Sequence, residues 1–501
     1  MKTDSVKIRM YRHGFGDCFL VRFFDQQKCT FSMVVDCGLK LNDQVPGITL
    51  TNVVDDIAAR VNKNPGDNRP ELDILVITHE HWDHVSGFHP DAKLFDGFKI
   101  EKIWMAWTEN PDDKEATLIR HHINRGITAL GVANEKLKDS LAKKTASFAA
   151  MANGTESLAA YEAFNRTIDD VASFFGSLEV TKTASGIKLK DKYKISVNSL
   201  KAINHVKSFA DKDAAMQYLY PGDLITDKNL PGIRIYILGP PKSALLNKSD
   251  PSAGAGKEVY LGMKDNALSG FVNHLLQMTD YPGTSGTAPF IQSKIIDKSE
   301  AEKHPYYKEY FEATEEYRNI DDDFLNLAGA LAMQLDGDTN NTSLAFAVEF
   351  IESGKVLLFP ADAQVGNWLS WHDLQWNTNN GGAEQVIKVS SLLNRTVFYK
   401  AGHHASHNAT LKELGLELMK SDDLVVFVPE KENQYNGIPY VPLVESLKVK
   451  SKGRTFFSAD KNYPPDKVLA SKPTQLSKKE WADFTKNCDI AHLYIEYTIS
   501  V

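Results

Sequence analysis

Leu72-Asp73-Ile74-Leu75-Val76-Ile77-Thr78-His79-Glu80-His81-Trp82-Asp83-His84 begins as a nearly unbroken apolar run and ends in four metal-ligand side chains within six residues. An apolar run of this length reads as a strand covered on both faces, and its carboxyl end delivers His79 into a loop. Imidazole nitrogen suits zinc, manganese or iron, and an aspartate either binds such an ion or steers a water beside it. Alternate residues point the same way, so His79 and His81 can share one ion while Asp83 and His84 face another. A single loop histidine is ordinary; four ligand types directly after a buried strand are a functional pattern.

Two further stretches repeat the arrangement. Val356-Leu357-Leu358-Phe359-Pro360-Ala361-Asp362 is an apolar strand that ends in a carboxylate, and Thr396-Val397-Phe398-Tyr399-Lys400-Ala401-Gly402-His403-His404-Ala405-Ser406-His407 is another that ends in paired histidines. Alone, Asp362 reads as a turn former or helix cap and the His-His pair as a weak signal. Together with residues 79–84 they point to a metal centre assembled from three strand ends. His13, His89, His205, His274 and His492 have no partner at ligand spacing, and His121-His122 lies on an expected helix where neighbours diverge.

Working outward, strands are expected at 6–11, 18–24, 30–35, 73–78, 194–198, 232–241, 343–351, 355–359, 396–400, 423–428 and 494–499, with a helix at 51–62. Residues 114–178 turn rich in Ala, Lys, Glu and Leu and read as two or three helices broken near Gly126, Gly131 and Asn153-Gly154. The expected organisation is 1–100 as the first half of a core, 101–230 as a helical insertion with a return strand, 231–241 as a core strand, 242–337 as a second insertion, partly helical and acidic, and 338–501 as the second half. In the second insertion, Tyr306, Tyr307, Tyr310 and Phe311 read as packing residues of a helix. Both insertions fall between ligand-bearing strands and are expected to form a cap beside them.

The 501 residues are 42% hydrophobic and 24% charged, with 57 Lys and Arg against 65 Asp and Glu for a formal charge of -8. This is a globular composition, and the acidic balance argues against a broad duplex-binding surface. It leaves room for a nuclease, because ions at the reacting centre neutralise phosphate locally. Cys18, Cys29, Cys37 and Cys488 form no CxxC pair and read as buried thiols of a reducing compartment. The amino terminus lacks a signal-like apolar run, and no stretch nears the ~20 apolar residues that cross a bilayer, so a cytoplasmic protein with no membrane contact is expected.

At these residues the chain resembles the metallo-β-lactamase superfamily, and within it the soluble hydrolase domain of the DNA-uptake channel protein ComEC. Gly14-Phe15-Gly16-Asp17 resembles that group's GQGD opening, Val35-Asp36-Cys37-Gly38 its I-D-x-G, and Leu238-Gly239-Pro240-Pro241 its LGPP. Asn340-Asn341-Thr342-Ser343-Leu344, His403-His404-Ala405-Ser406 and residues 433–439 resemble its N-[ND]-x-S-L, HHGS and N-x-Y-G-H-P motifs. The resemblance implies an α/β fold, an αβ/βα sandwich, here carrying helical insertions. It also implies two divalent ions, zinc first and manganese as the alternative: His79 and His81 on one, Asp83, His84 and His403 on the other, and Asp362 bridging. Asp36 would orient the loop from behind. Asn340-Asn341 stand where many members have a histidine, which leaves the first ion short of a private ligand. Ala405 replaces a glycine of a tight turn, and Ile438 replaces the histidine of the last motif.

The reaction this implies is hydrolysis by a metal-bound hydroxide, with Asp83 steering or deprotonating the nucleophile and His404, Ser406 or Lys400 donating to the developing charge. The simpler readings are a turn hydroxyl for Ser406, a solvated or strand-edge residue for Lys400, and a turn carboxylate for Asp17. The substrate expected is a small-molecule or nucleic-acid phosphodiester. A lactone, thioester or amide hydrolase on the same centre is the alternative, and a metal-containing scaffold that binds a protein partner through the insertions is the non-enzymatic one.

Overall fold

The computed structural model describes residues 3–41, 43–62, 69–148, 154–183, 192–211, 214–250, 271–276, 279, 298–301, 303–307, 327–380, 383–430, 438–458, 468–469 and 471–501. The chain divides into two compact units. The first holds residues 1–120, 199–251 and 337–501, and the second holds 121–198 and 252–336.

Two large sheets and a hairpin of Gln375–Asn380 and Ala383–Lys388 lie in the first unit. One has eight strands in the order Cys488–Ile490, Tyr494–Ser500, Ser5–Tyr11, Cys18–Asp25, Lys28–Cys37, Glu71–Val76, Lys99–Ala106 and Ala215–Leu219. The other has seven, Thr455–Phe457, Val425–Val428, Thr396–Lys400, Val356–Phe359, Ala345–Phe350, Ile233–Gly239 and Leu224–Ile225. Lys28–Cys37, Glu71–Val76, Lys99–Ala106 and Ala215–Leu219 run parallel to one another. So do Val356–Phe359, Thr396–Lys400, Val425–Val428 and Thr455–Phe457. Within each sheet, parallel strands bring their carboxyl ends to one edge, the place where open α/β sheets hold ligands.

The period-2 geometry of the Glu71–Val76 strand shows how the core is shared. Ile74 and Val76 join Phe19, Phe346, Leu357 and Phe398 in a hydrophobic cluster drawn from both sheets. Leu72 and Leu75 join instead a cluster that holds Val53, Val54 and Ile57 of helix Leu50–Val61 and Ile203 of helix Asn198–Ser208. Leu358 and Tyr399 of the second sheet pack with Trp368 and Leu392 from helices Val365–Trp371 and Val389–Asn394. These strands are mainly apolar because both of their faces are covered.

The second unit contains the helix Gly154–Ala172 and most of the helix Lys114–Phe148. The longer helix runs unbroken through Gly126 and Gly131, where breaks were expected. A side chain at Gly126 would meet Leu335 Cδ2 at 2.4 Å, and one at Gly131 would meet Ile195 Cγ2 at 3.1 Å. These glycines admit close neighbours; they do not end the helix. The second unit also holds a hairpin of Leu178–Thr183 and Lys192–Val197 and most of the helix Leu327–Asn340. Tyr306 is 81% exposed, not a packing residue, and Tyr310 and Phe311 lie outside the described residues. Residues 101–120 and 199–230 belong to the first unit, because strands Lys99–Ala106 and Ala215–Leu219 extend its sheet. Among the described residues no helix is long and apolar enough to cross a membrane.

The ends of the chain meet in the first sheet. Ser5–Tyr11 pairs with Tyr494–Ser500, which sets Arg9 opposite Glu496. Arg9 Nε and Arg22 Nη2 bond Glu496 Oε2 at 2.8 and 2.6 Å, and Arg9 Nη1 bonds Asp56 at 2.5 Å. Burial opposes charge on Glu496, but Arg22 and Arg9 outweigh it and hold its carboxyl below the ordinary value. Asp56 is shifted the same way by Arg9 and Tyr11. Carboxyls depressed in the folded state stabilise it above their unfolded pKa values, and that stability is lost as pH falls through the folded ones. We predict that Glu496→Gln, which takes the paired carboxylate from buried Arg22 and leaves buried Arg9 with Asp56 alone, lowers stability by about 3 kcal/mol at pH 7. The measurement is the urea midpoint at pH 7 and at pH 3. The deficit should shrink at pH 3; a deficit equal at both pH values would show that the pairing is not its source.

Candidate metal centre

Two glycines bring the first set of ligands into place. A side chain at Gly38 would lie 2.2 Å from the Asp83 carbonyl carbon and 2.3 Å from His84 N. Gly16, at φ +146°, would meet Gly38 O at 2.3 Å and Asp83 O at 2.6 Å. With no side chain at either position, the Asp17 N–H donates to Asp83 O at 2.9 Å and the Gly38 N–H to Asp17 O at 3.0 Å. The GxGD and DCG stretches therefore clamp the backbone of the 79–84 loop.

Asp36, fully buried at φ 55°, orients the side chains of that loop. It accepts from Thr78 N at 2.8 Å, from Thr78 Oγ1 at 2.7 Å and from His84 Nδ1 at 2.8 Å. Because Thr78 Oγ1 gives its hydrogen to Asp36, it accepts from His79 Nδ1 at 3.0 Å. One carboxylate thus fixes the proton on Nδ1 of both histidines and leaves each Nε2 as the ligand atom. His404 has the same arrangement from a different source, its Nδ1 bonding Pro429 O at 3.0 Å.

Asp83, His84, Asp362 and His404 place their ligand atoms within 4.8 Å of one another. His404 Nε2 is 2.9 Å from Asp83 Oδ2 and 3.6 Å from Asp362 Oδ2, and His84 Nε2 is 3.3 Å from Asp362 Oδ2. His79 lies beside this group, its ring centroid 4.2 Å from that of His84 and 4.9 Å from that of His81. His79 Nε2 and Asp83 Oδ1 are buried and make no hydrogen bond among the described residues. Buried polar atoms without partners are costly, and a coordinated cation satisfies both at once. The donor set therefore fits a divalent ion.

The resemblance implied His403 among these ligands and His404 as a donor to developing charge; the group whose ligand atoms lie within 4.8 Å of one another contains His404 and not His403. His403, His404 and Ala405 have φ values of 41°, 48° and 58°. This left-handed run, at a cost on the order of 1–3 kcal/mol per residue, sends adjacent side chains in different directions. His404 is 1% exposed against Phe15, whereas His403 is partly exposed and its Nε2 is 3.2 Å from Asn340 Nδ2. Asn341 turns to Ser249 Oγ at 3.0 Å. Ser406 Oγ donates to His403 O at 2.8 Å, as a turn hydroxyl does. Lys400 is not a solvated strand-edge residue: it is 2% exposed, 2.5 Å from Asp17 Oδ2 and 3.2 Å from Asp362 Oδ1. Asp17 likewise is a buried ion-pair partner and not only a turn carboxylate. Residues 431–437, and with them most of the last motif, lie outside the described residues.

Charge divides the histidines into two groups. Burial lowers an imidazole pKa, and at His81 and His403 it dominates and brings each to about 4; at His79 burial together with His84 and His81 pushes it well below the ordinary value. At His404 burial is outweighed by Asp362 and Asp83, which raise it to about 9, and at His84 by Asp362, Asp17, Asp83 and Asp36. Asp83 is held at about 2 against burial by His84 and His404. The carboxylate side of the centre draws positive charge, and the His79/His81 side offers neutral nitrogen lone pairs.

Residues 11–124 match the family model of the metallo-beta-lactamase superfamily. That stretch contains Asp17, Asp36 and the whole 79–84 loop, while Asp362, Lys400 and His404 follow it in the chain. No curated protein matches this chain.

We predict that Asp36→Asn weakens binding of Zn²⁺ by roughly 10–100-fold, as loss of a carboxylate behind metal-binding imidazoles does elsewhere. Competition with a chromophoric chelator measures it. Unchanged affinity in a folded variant would show that Asp36 does not orient the ligands.

Proposed function

We propose that the chain is a metal-dependent hydrolase with the αβ/βα sandwich of the metallo-β-lactamase superfamily, acting on a phosphodiester. The observation that carries this reading is the convergence of Asp83, His84, Asp362 and His404 on one point at the carboxyl ends of parallel strands. Asp83, His84, Asp362 and His404 would hold one divalent ion, zinc or manganese, and His79 and His81 would contribute to a second beside it. Such ions supply Lewis acidity at the reacting oxygen and lower the pKa of water toward neutrality.

The residues of the chain have separable tasks. Asp36 and Pro429 O keep the Nδ1 protons of His79, His84 and His404 in place, so every Nε2 stays committed to the centre. Asp83 Oδ1, which has no hydrogen-bond donor of its own among the described residues, receives the proton of an attacking water. His403, partly exposed and held neutral, would offer an N–H hydrogen bond to a leaving oxygen. The phosphodiester assignment rests on the order of the ComEC-like motifs from Gly14 to Ser406, and an amino-terminal match to a superfamily of many chemistries leaves that choice to experiment.

The test is hydrolysis of bis(p-nitrophenyl) phosphate and of single-stranded DNA, with a lactone and a thioester alongside, in added Mn²⁺ or Zn²⁺. We expect metal-dependent phosphodiester turnover that Asp83→Asn lowers roughly 100-fold or more. Turnover of the esters alone would overturn the substrate assignment and keep the hydrolase. No turnover of any of the four, with metal bound, would overturn the hydrolase reading too.

A further inference from the structure

Lys400 ends the apolar strand Thr396–Lys400, and an ammonium buried that deeply needs partners. It has three: Asp17 Oδ2 at 2.5 Å, Asp362 Oδ1 at 3.2 Å and Ala361 O at 3.1 Å. The His403 backbone N–H donates to the same Asp362 Oδ1 at 3.1 Å. Asp362 Oδ2 has the opposite surroundings, with His84 Nε2 and His404 Nε2 at 3.3 and 3.6 Å. The two oxygens of this carboxylate are used differently: one is taken up by an ammonium and an amide, and the other is turned into the ligand cluster.

We infer that Lys400 is a positioning residue that restricts Asp362 to one donor oxygen, Oδ2, toward the cation. The inference rests on the metal reading above and deepens it. An unrestrained aspartate beside a divalent ion can close both oxygens on that ion or spread them over two ions. Here a second donation from Oδ1 must displace a charge-assisted hydrogen bond and a backbone one. Two ions that shared Asp362 would then share its single oxygen Oδ2. Asp17 makes a buried lysine tolerable at this place, since its charge offsets the repulsion that Lys400 exerts on an incoming cation.

Cobalt(II) serves as the probe, because its visible absorption is strong in four-coordinate sites and falls as ligands are added. The full chain, Lys400→Met and the double variant Asp17→Asn/Lys400→Met are titrated with Co²⁺ in competition with a chelator, with circular dichroism as the check on folding. Freed Oδ1 should join the ion in both variants, lowering the visible extinction at least twofold. Lys400→Met alone should also bind Co²⁺ roughly tenfold more tightly, because only that variant loses a net positive charge. A merely structural lysine predicts the reverse, weaker binding with an unaltered spectrum. If the single variant does not fold, the charge-balanced double variant still reports the spectrum. Spectra identical to the wild type in folded variants overturn the inference alone, whereas a wild-type chain that binds no Co²⁺ overturns it together with the metal reading.

Discussion

The hydrogen bonds that converge on Asp36 are the constraint on which the centre depends. Asp36 sits at the end of Lys28–Cys37, and Thr78 and His84 come from the loop after the neighbouring parallel strand. Its three donors tie the backbone of that loop, one imidazole directly and a second through the threonine hydroxyl. Burial raises the Asp36 pKa, and His84 and Thr78 work against that rise. The carboxylate is tolerated in this place only because donors surround it. Gly38 and Gly16 then fix the same loop from the other side by bringing backbone to backbone.

The second half of the chain adds what this loop lacks. Residues 79–84 supply three imidazoles and one carboxylate; Asp362 supplies the second carboxylate and His404 a further imidazole on a separate hydrogen-bond support. Lys400 holds the two halves together electrostatically, joining Asp17 from the first sheet to Asp362 from the second. Four buried carboxylates within one region would repel one another strongly in a low-dielectric interior. Lys400 offsets part of that repulsion, and the same carboxylates are what raise the pKa values of His84 and His404.

Much of this could be read from the sequence wherever local pattern and tertiary demand coincide. Strands buried on both faces are mainly apolar, so 73–78, 356–359 and 396–400 announce themselves, and the ligands follow at their carboxyl ends. The strand Lys99–Ala106 was missed because Lys99, Glu101 and Lys102 break its apolar run, and its place is decided by pairing with Glu71–Val76. Gly126 and Gly131 look like helix breaks until Leu335 and Ile195 are seen against them. The choice between His403 and His404 was out of reach because it depends on three successive left-handed residues, and Ala405, where a glycine was expected, gave no sign that this conformation is kept. Lys400 did carry a signal, a lysine closing an apolar strand. Its partner lies 383 residues earlier in the chain (400 minus 17), and no local pattern reports such a pairing.

The strained positions follow the same logic. Asp36, Ala361, His403, His404 and Ala405 all hold positive φ, and all lie at or just beyond the carboxyl end of a strand that feeds the centre. Strain of this kind persists only where surrounding contacts over-determine the backbone. Here they do: Asp36 has three donors, the Ala361 carbonyl accepts from Lys400, and the His403 amide reaches Asp362. A relaxed turn at 403–405 would release His404 from Pro429 O and Asp83 and return its ring to solvent. The stability given up in these turns is what keeps Nε2 of His404 and Oδ2 of Asp362 directed at one point, so the strained backbone belongs to the ligand geometry as much as the side chains do.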